Sequence, residues 1–318
     1  MESVDSALLA QRAAALAFYS PYNFLRKVVP TEPQQELFGA GRAARFGTGS
    51  ANEVVFTHEA GQLLYAALPW DSDFFATPTY RLFTGLFAEK CPPADRVAAV
   101  RSFQRQLAAT GAYYCFSEVP CEDTMLLQTL TASGWRLVET RLLYYRDNLL
   151  AFGQPRYPVR LARPEEAAHM AQISAAARNE YDRFHADPWF GAARADAFLA
   201  RYASAAVQGY CDAVLVPNEP GLPLDSFLAI SDLPADSAAL GVDLSRVVLT
   251  AVGPENRGWH VRLVSETVHR ARERGAQAVL MTTQATNRAV VRTSEKLGFQ
   301  LGGSSHVLAC HGNLTATT

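Results

Sequence analysis

Apolar and polar positions along the chain change period several times, and the changes mark the elements. Near the C-terminus an apolar run, 247–252, enters a short polar loop, Pro254-Glu255-Asn256-Arg257-Gly258. Val261, Val264, Val268 and Ala271 then recur at helical spacing on one face, which predicts an amphipathic helix packed on a sheet. Gly275 stops that helix, and a strand at 278–283, a helix opening at Asn287 and Gly298-Phe299 before a last strand follow. A strand that turns directly into a helix aims free backbone N–H groups and the positive end of the helix dipole at one point, a ready anion site.

The same order occurs earlier. A helix pattern over 96–110 stops at Gly111, a strand follows at 113–119, a helix opens at Asp123, and Gly134-Trp135 precede a strand that runs to Tyr145. The paired glycines are equally spaced in both halves, 111 to 134 and 275 to 298. A shift of 164 places Asp123 on Asn287, each at the N-cap of a helix. The pattern predicts two related units in tandem, although helix–Gly–strand units occur in any α/β domain. The halves differ at the loop. The shift lays Cys91-Pro92-Pro93-Ala94-Asp95 on Glu255-Asn256-Arg257-Gly258-Trp259, and two prolines remove two N–H donors. The first half therefore reads as a degenerate copy.

A turn-rich stretch at 148–158 sets the expected boundary, giving domains 1–150 and 151–318. From Val159 the order reads strand, helix 164–178, loop, helix 194–206, strand 211–216, turn, strand 226–231 and turn. Segments 218–223 and 234–236 are read as hairpin connections. Residues 1–50 are less clear, with a loop expected at 39–49. The fold class is α/β with a mixed sheet (α+β).

At 318 residues with 49% apolar and 19% charged, the chain has material for two packed domains. A net charge of −2 without a basic stripe argues against nucleic acid. Cys91, Cys115, Cys121, Cys211 and Cys310 are odd in number and contain no C-x-x-C pair, so neither a disulfide framework nor a metal site is expected. No apolar run has membrane-spanning length, and an opening with Glu2 and Asp5 is unlike a signal peptide. A cytoplasmic protein is expected. His306 and His311 read as structural histidines, and Cys310 lacks the Cys–His order of a nucleophile.

The Arg-Gly loop, the Asn opening the second helix and the Leu297-Gly298-Phe299 ending together resemble the coenzyme A core of the GNAT acetyltransferase superfamily. The resemblance implies an N-acyltransferase that uses acetyl-CoA, or another acyl-CoA, as co-substrate. Strands splayed at 248–252 and 278–283 would meet pantetheine, with Ala251 and Val252 as contacts. Arg257, Gly258, Trp259, His260 and Val261 would meet the pyrophosphate, and Asn287 would contribute at the strand–helix junction. The chain departs from the pattern at His260 and Arg262, which stand where small residues are expected. The family often places a tyrosine seven residues after the Asn as acid for the leaving thiolate. Here that residue is Ser294.

Within the superfamily the chain resembles the dTDP-fucosamine acetyltransferases. Leu68-Pro69-Trp70-Asp71-Ser72-Asp73-Phe74-Phe75 and Arg183-Phe184-His185-Ala186-Asp187-Pro188-Trp189-Phe190 carry that likeness. It implies a small amine acceptor, plausibly a nucleotide-linked amino sugar. Tyr181, Asp182, Arg183 and His185 are the candidate acceptor contacts, with aromatic faces to stack on and charges to pair. Phe184, Trp189 and Phe190 could equally anchor the loop. No nucleic-acid or membrane partner is expected, and a homodimer is compatible with the chain. The alternative from another class is a non-catalytic GNAT-like module that binds CoA or a partner protein. A third reading is transfer of a longer or carrier-bound acyl group.

Overall fold

The computed structural model describes residues 3–177 and 179–312. Glu2 and Arg178, the expected end of helix 164–178, lie outside them. The strands are β1 (Glu53–His58), β2 (Gly61–Ala67), β3 (Thr79–Phe87), β4 (Tyr114–Pro120), β5 (Arg136–Arg146), β6 (Val159–Leu161), β7 (Ala213–Pro217), β8 (Ser226–Ser231), β9 (Leu244–Val252), β10 (Ala278–Gln284) and β11 (Gln300–His311).

The chain forms two compact units that interleave in sequence. The first holds residues 3–26, 30–140 and 304–312, and the second holds 27–29 and 141–303. The C-terminal strand thus belongs to the first unit, where 305–311 of β11 pair antiparallel with β4. Residues 141–146 of β5 belong to the second unit and pair antiparallel with β10. Each half of the sequence supplies the last strand of the other unit.

In the first unit the order is β1-β2-β3-β4-β11, antiparallel except for the parallel pair β3 and β4. Helices Pro93–Ala108 and Thr124–Ala132 cover it through Val100, Phe103, Leu107, Leu126 and Leu130. In the second unit the order is β6-β7-β8-β9-β10-β5, again with one parallel pair, β9 and β10. Helix Trp259–Glu273 lies on one face with Trp259, Leu263, Val264 and Val268 in its core, and helices Ala167–Ala176 and Ala192–Ala205 supply Met170, Ile173 and Ala203 to a second core. Both units are mixed α/β and follow one plan, so the fold is two related units in tandem.

Several elements differ from expectation. The loop expected at 39–49 contains helix Ala40–Ala44. The turn expected at 234–236 starts helix Pro234–Leu240, because Pro fits the first helical turn and Gly241 closes it with φ +66°. Stretch 148–158 is strapped to helix Trp259–Glu273 within the second unit. The buried Glu266 carboxylate accepts from Tyr157 N (2.6 Å) and Arg156 Nε (2.9 Å), and Arg272 donates to Phe152 O (3.1 Å).

Candidate active site

The parallel ladder between β9 and β10 has four pairs, Leu244–Val247 against Ala278–Met281. Both strands continue past it. β9 stays paired with β8 up to Val252, and β10 with β5 up to Gln284. The strands therefore part after Val247 and Met281, and the edge of β9 that faced β10 leaves the ladder. Residues 248–250 and 252 are half-buried there.

The turn after β9 is held from behind. Asp225 accepts from Gly253 N through its carbonyl (2.7 Å) and from Glu255 N through its carboxylate (2.9 Å). A Cβ on Gly253 would lie 2.1 Å from that carboxylate, so any larger residue would have to push the Asp225 side chain off Glu255 N. Asn256 is fully buried and donates to Pro223 O (3.1 Å) and Ser226 Oγ (2.9 Å). With the turn fixed, Arg257 is left exposed, and Gly258 takes φ +87° as N-cap of helix Trp259–Glu273. That conformation favours glycine. Its N-cap provides no side-chain hydrogen bond to the helix N–H groups.

A cleft of ≈ 490 Å³ opens at this helix end, lined by Val252, Gly253, Pro254, Arg257, Gly258, His260, Val261, Ala289 and Thr293. His260 Nδ1 lies 2.9 Å from Thr293 Oγ1 on helix Arg288–Lys296. Its Nε2 is buried without a hydrogen-bond partner among the described residues. Burial pushes the imidazole down to about 4, so the ring is neutral at neutral pH. Arg262 turns away, over Tyr157 and Trp259, with Glu219 at 3.3 Å.

The sequence candidates divide accordingly. Val252, Arg257, Gly258, His260 and Val261 are brought together in the cleft lining. Ala251 and Trp259 are buried in the two cores of this unit, which leaves only their backbone for a ligand. Asn287 caps helix Arg288–Lys296, accepting from Val290 N at 3.3 Å. Ser294 requires a correction. It is fully buried, its hydroxyl donates to Val290 O (2.9 Å), and it is not part of the cleft lining. A serine committed to its own helix cannot serve the leaving thiolate. Thr293, one residue earlier, faces the cleft instead. Sequence reading also missed Asp225 and Asn256, whose role appears only when the β8 turn lies against the β9 turn.

The 181–190 loop is organised by its own polar groups. Asp182 caps the turn Arg183–Ala186, accepting from Phe184 N (2.8 Å) and His185 N (3.1 Å). The His185 ring lies between Asp182 Oδ2 (2.7 Å) and Asp196 Oδ1 (2.9 Å). Arg183 is buried with its guanidinium over Phe184, and Trp189 and Phe190 are buried too. Asp182, Arg183 and His185 thus hold the loop together, and Tyr181 is the exposed candidate at 56%. Asn179 ties the loop start to the end of β10 by donating to Gln284 Oε1 (2.7 Å).

The matching place in the first unit is closed. The β3–β4 ladder also stops after four pairs, Thr79–Leu82 against Tyr114–Ser117. Beyond it residues 84–87 are buried. Arg12, from helix Ser6–Leu16, donates to Gly85 O (3.2 Å) and pairs with the buried Asp123 carboxylate (2.5 Å). Tyr19 donates to the same carboxylate (2.7 Å), and burial beside that anion raises its hydroxyl well above the usual tyrosine range. Pro92 and Pro93 open the helix below. The chain fills this cleft with its own N-terminal segment.

No protein-family model matches the sequence. No curated protein matches it either. Solved structures do. A GCN5-related N-acetyltransferase from Sphaerobacter thermophilus superposes with TM-score 0.54 at 12% identity, over 95% of this chain and 91% of that one. A GCN5-related N-acetyltransferase from Kribbella flavida gives TM-score 0.50 at 17% identity, over 83% and 92%. A functionally unknown conserved protein from Staphylococcus epidermidis gives 0.52 at 12%, over 82% and 95%. At such identities the likeness is one of fold: the chain has the architecture of the GCN5-related N-acetyltransferases. No helix among the described residues is long and apolar enough to cross a membrane.

Proposed function

We propose that this chain is an acyl-CoA-dependent N-acyltransferase, with acetyl-CoA as donor, and that only its second unit holds the donor. The observation that carries this reading is the contrast between the two ladders. In the second unit the parted strands β9 and β10 stand beside an open cleft at a helix N-terminus. In the first unit Arg12 and Tyr19 occupy the same place. The residues fit an anionic cofactor: Arg257 adds positive charge, Gly258 leaves the helix N–H groups uncovered, and the lining contains no carboxylate.

Bound acetyl-CoA would supply a thioester whose acyl carbon an amine can attack, the C–S bond breaking to release CoA as the thiol. The chain's part is to bind and orient. The free edge of β9 at 248–252 offers backbone groups to the amide-bearing pantetheine arm. Arg257 and the first turn of helix Trp259–Glu273 hold the diphosphate. Holding donor and amine together removes the entropy cost of their encounter. The 181–190 loop, tethered to Gln284, would form a wall of the acceptor site with Tyr181 on its open side. The motifs at 68–75 and 183–190 support a nucleotide-linked amino sugar as acceptor, in the manner of the dTDP-fucosamine acetyltransferases.

Turnover of acetyl-CoA over a panel of amines and amino sugars, read by free-thiol release, tests the reading. Thiol release dependent on an amine supports it. Burial of Ser294 favours a second reading, a module that binds CoA without transfer. Binding of CoA by calorimetry with no turnover across the panel would select that module.

A further inference from the structure

Cys115 and Cys310 stand directly opposite each other in the antiparallel ladder of β4 and β11. Residues opposite in a ladder share a face, and both side chains are buried in the core of the first unit, among Val100, Phe103 and Leu126. Both cysteines are free, and their thiols hydrogen-bond to each other. The Tyr113 hydroxyl lies 3.9 Å from Cys310 Sγ. The Tyr113 ring lies against Gly312, where a Cβ would come within 2.7 Å of it. Ring and strand end together close the pair off from solvent.

A single buried cysteine is an ordinary small apolar packing residue. Two of them at one register position can also be joined. Gly312 N donates to Tyr113 O and Cys121 N to Ser304 O, each at 3.2 Å. Hydrogen-bonded pairs alternate along an antiparallel ladder. The 115–310 pair is an even number of steps from both, so it is a hydrogen-bonded pair, with Cα atoms about 5.5 Å apart. A disulfide spans that distance. It also needs the two Cβ atoms somewhat closer than such a pair sets them, so the link carries strain and is the more easily reduced for it.

We propose that Cys115 and Cys310 form a reversible redox latch, a cross-strand disulfide that fixes the C-terminal strand in the first unit under oxidising conditions and opens under reducing ones. The inference is independent of the CoA site. The oxidant is a small-molecule disulfide of the glutathione class. When the end of β11 frays, the Cys310 thiolate attacks that disulfide, which forms a mixed disulfide and releases one small thiol. The Cys115 thiolate then attacks Cys310 Sγ and displaces the second. The two protons lost by the cysteines end on the two small thiols, so the small disulfide is reduced as the pair is oxidised. Burial pushes the Cys115 thiol well above the usual cysteine range, so the pair stays inert until the strand end opens. The link closes a loop from 115 to 310 that contains residues 141–303 of the second unit. A loop of that length takes a large share of entropy from the unfolded chain.

The test uses the full chain, refolded from urea in a buffer of oxidised and reduced glutathione so that burial cannot shield the thiols. Peptide mapping without reductant should show Cys115 joined to Cys310 and no other cysteines joined. The linked chain should melt at least about 5 °C above the reduced one. Excess reduced glutathione should open the link and return the melting temperature to the reduced value. Cys310→Ala should lose both the linked peptide and the difference in melting between oxidising and reducing buffer. Each protein is compared with itself in the two buffers, so a lower stability of Cys310→Ala does not obscure the result. A native chain that refolds without the link, links other cysteines, or melts no higher when linked overturns the proposal, and the pair then serves packing alone. A link that reduced glutathione leaves closed overturns the reversibility.

Discussion

His260 Nδ1 and Thr293 Oγ1, 2.9 Å apart, join the first turn of one helix to the middle of the next across the candidate cofactor cleft. The contact has a pH signature. An unfolded histidine titrates near 6.5, whereas burial holds folded His260 at about 4. Below pH 6.5 the unfolded chain takes up a proton that the folded chain refuses, so stability falls as the pH drops from 6.5 to 4. For one half-buried ring the loss is on the order of 2 kcal/mol at pH 4. His260→Gln should remove this component. Urea midpoints at pH 7, 5.5 and 4 measure it, and parallel pH profiles for the two proteins would disprove it.

Arg257 is exposed and lines the cleft. Reversing its charge should therefore spare the fold and weaken the anion site. We expect Arg257→Glu to lose at least about tenfold in CoA affinity, with the loss shrinking as salt is raised. The melting temperature of the cofactor-free chain should stay within about 2 °C of native. Calorimetry at two salt concentrations checks the first claim, and unchanged affinity would remove Arg257 from the site.

Arg12 and Asp123 form a buried pair in the first unit. Removing one partner strands the other charge away from water, which costs about 3–5 kcal/mol. Arg12→Ala should show that loss in urea unfolding. The double change Arg12→Met, Asp123→Asn should recover much of it, since no lone charge remains. CoA affinity per folded molecule should not change in either protein. Acquisition of a second CoA equivalent by Arg12→Ala would mean that Arg12 alone keeps this unit closed.

The tandem plan was legible because glycines, caps and apolar periods are local signals. Gly111 and Gly275 each end a helix with φ above +80° or at it, and Asp123 and Asn287 each cap the next one. The cleft lining was legible in part, since loop and helix start are contiguous in sequence. What escaped depends on distant segments meeting. The exchange of 141–146 and 305–311 between units has no local mark, because each strand's partner lies more than 100 residues away in sequence. Arg12 filling the first cleft lies over 100 residues from Asp123 and reads, in sequence, as one more helix residue. Ser294 was placed by counting along a helix, but counting says nothing about which face is covered. The polar trio Asp182, Arg183 and His185 looked free for a ligand. Asp182 and His185 instead hydrogen-bond within the loop and to Asp196.

Glu166 gives the last prediction, which concerns how the second unit closes its sheet edge. Its carboxylate accepts from Arg160 through both oxygens (2.7 and 2.8 Å) and from Arg163 N (2.8 Å). Arg160 lies on β6, and Glu166 leads into helix Ala167–Ala176, so the carboxylate pins the short end strand to the helix beside it. The Arg160 guanidinium leads in holding Glu166 down at about 2. An unfolded glutamate titrates near 4.3. The stabilisation is therefore complete above about pH 4.3 and drains away as the pH falls toward 2. The pair is partly exposed, so solvent screening reduces the contribution to about 1 kcal/mol. Glu166→Gln should cost that amount at pH 7, visibly less at pH 3, and almost nothing only once the pH is below about 2, since only the ionised carboxylate is favoured by the arginines. Hydrogen exchange at the β6 and β7 amides should quicken in the variant at pH 7, as the strand frays first. A stability difference that stays constant from pH 7 to pH 3 would show that Glu166 acts through shape rather than charge.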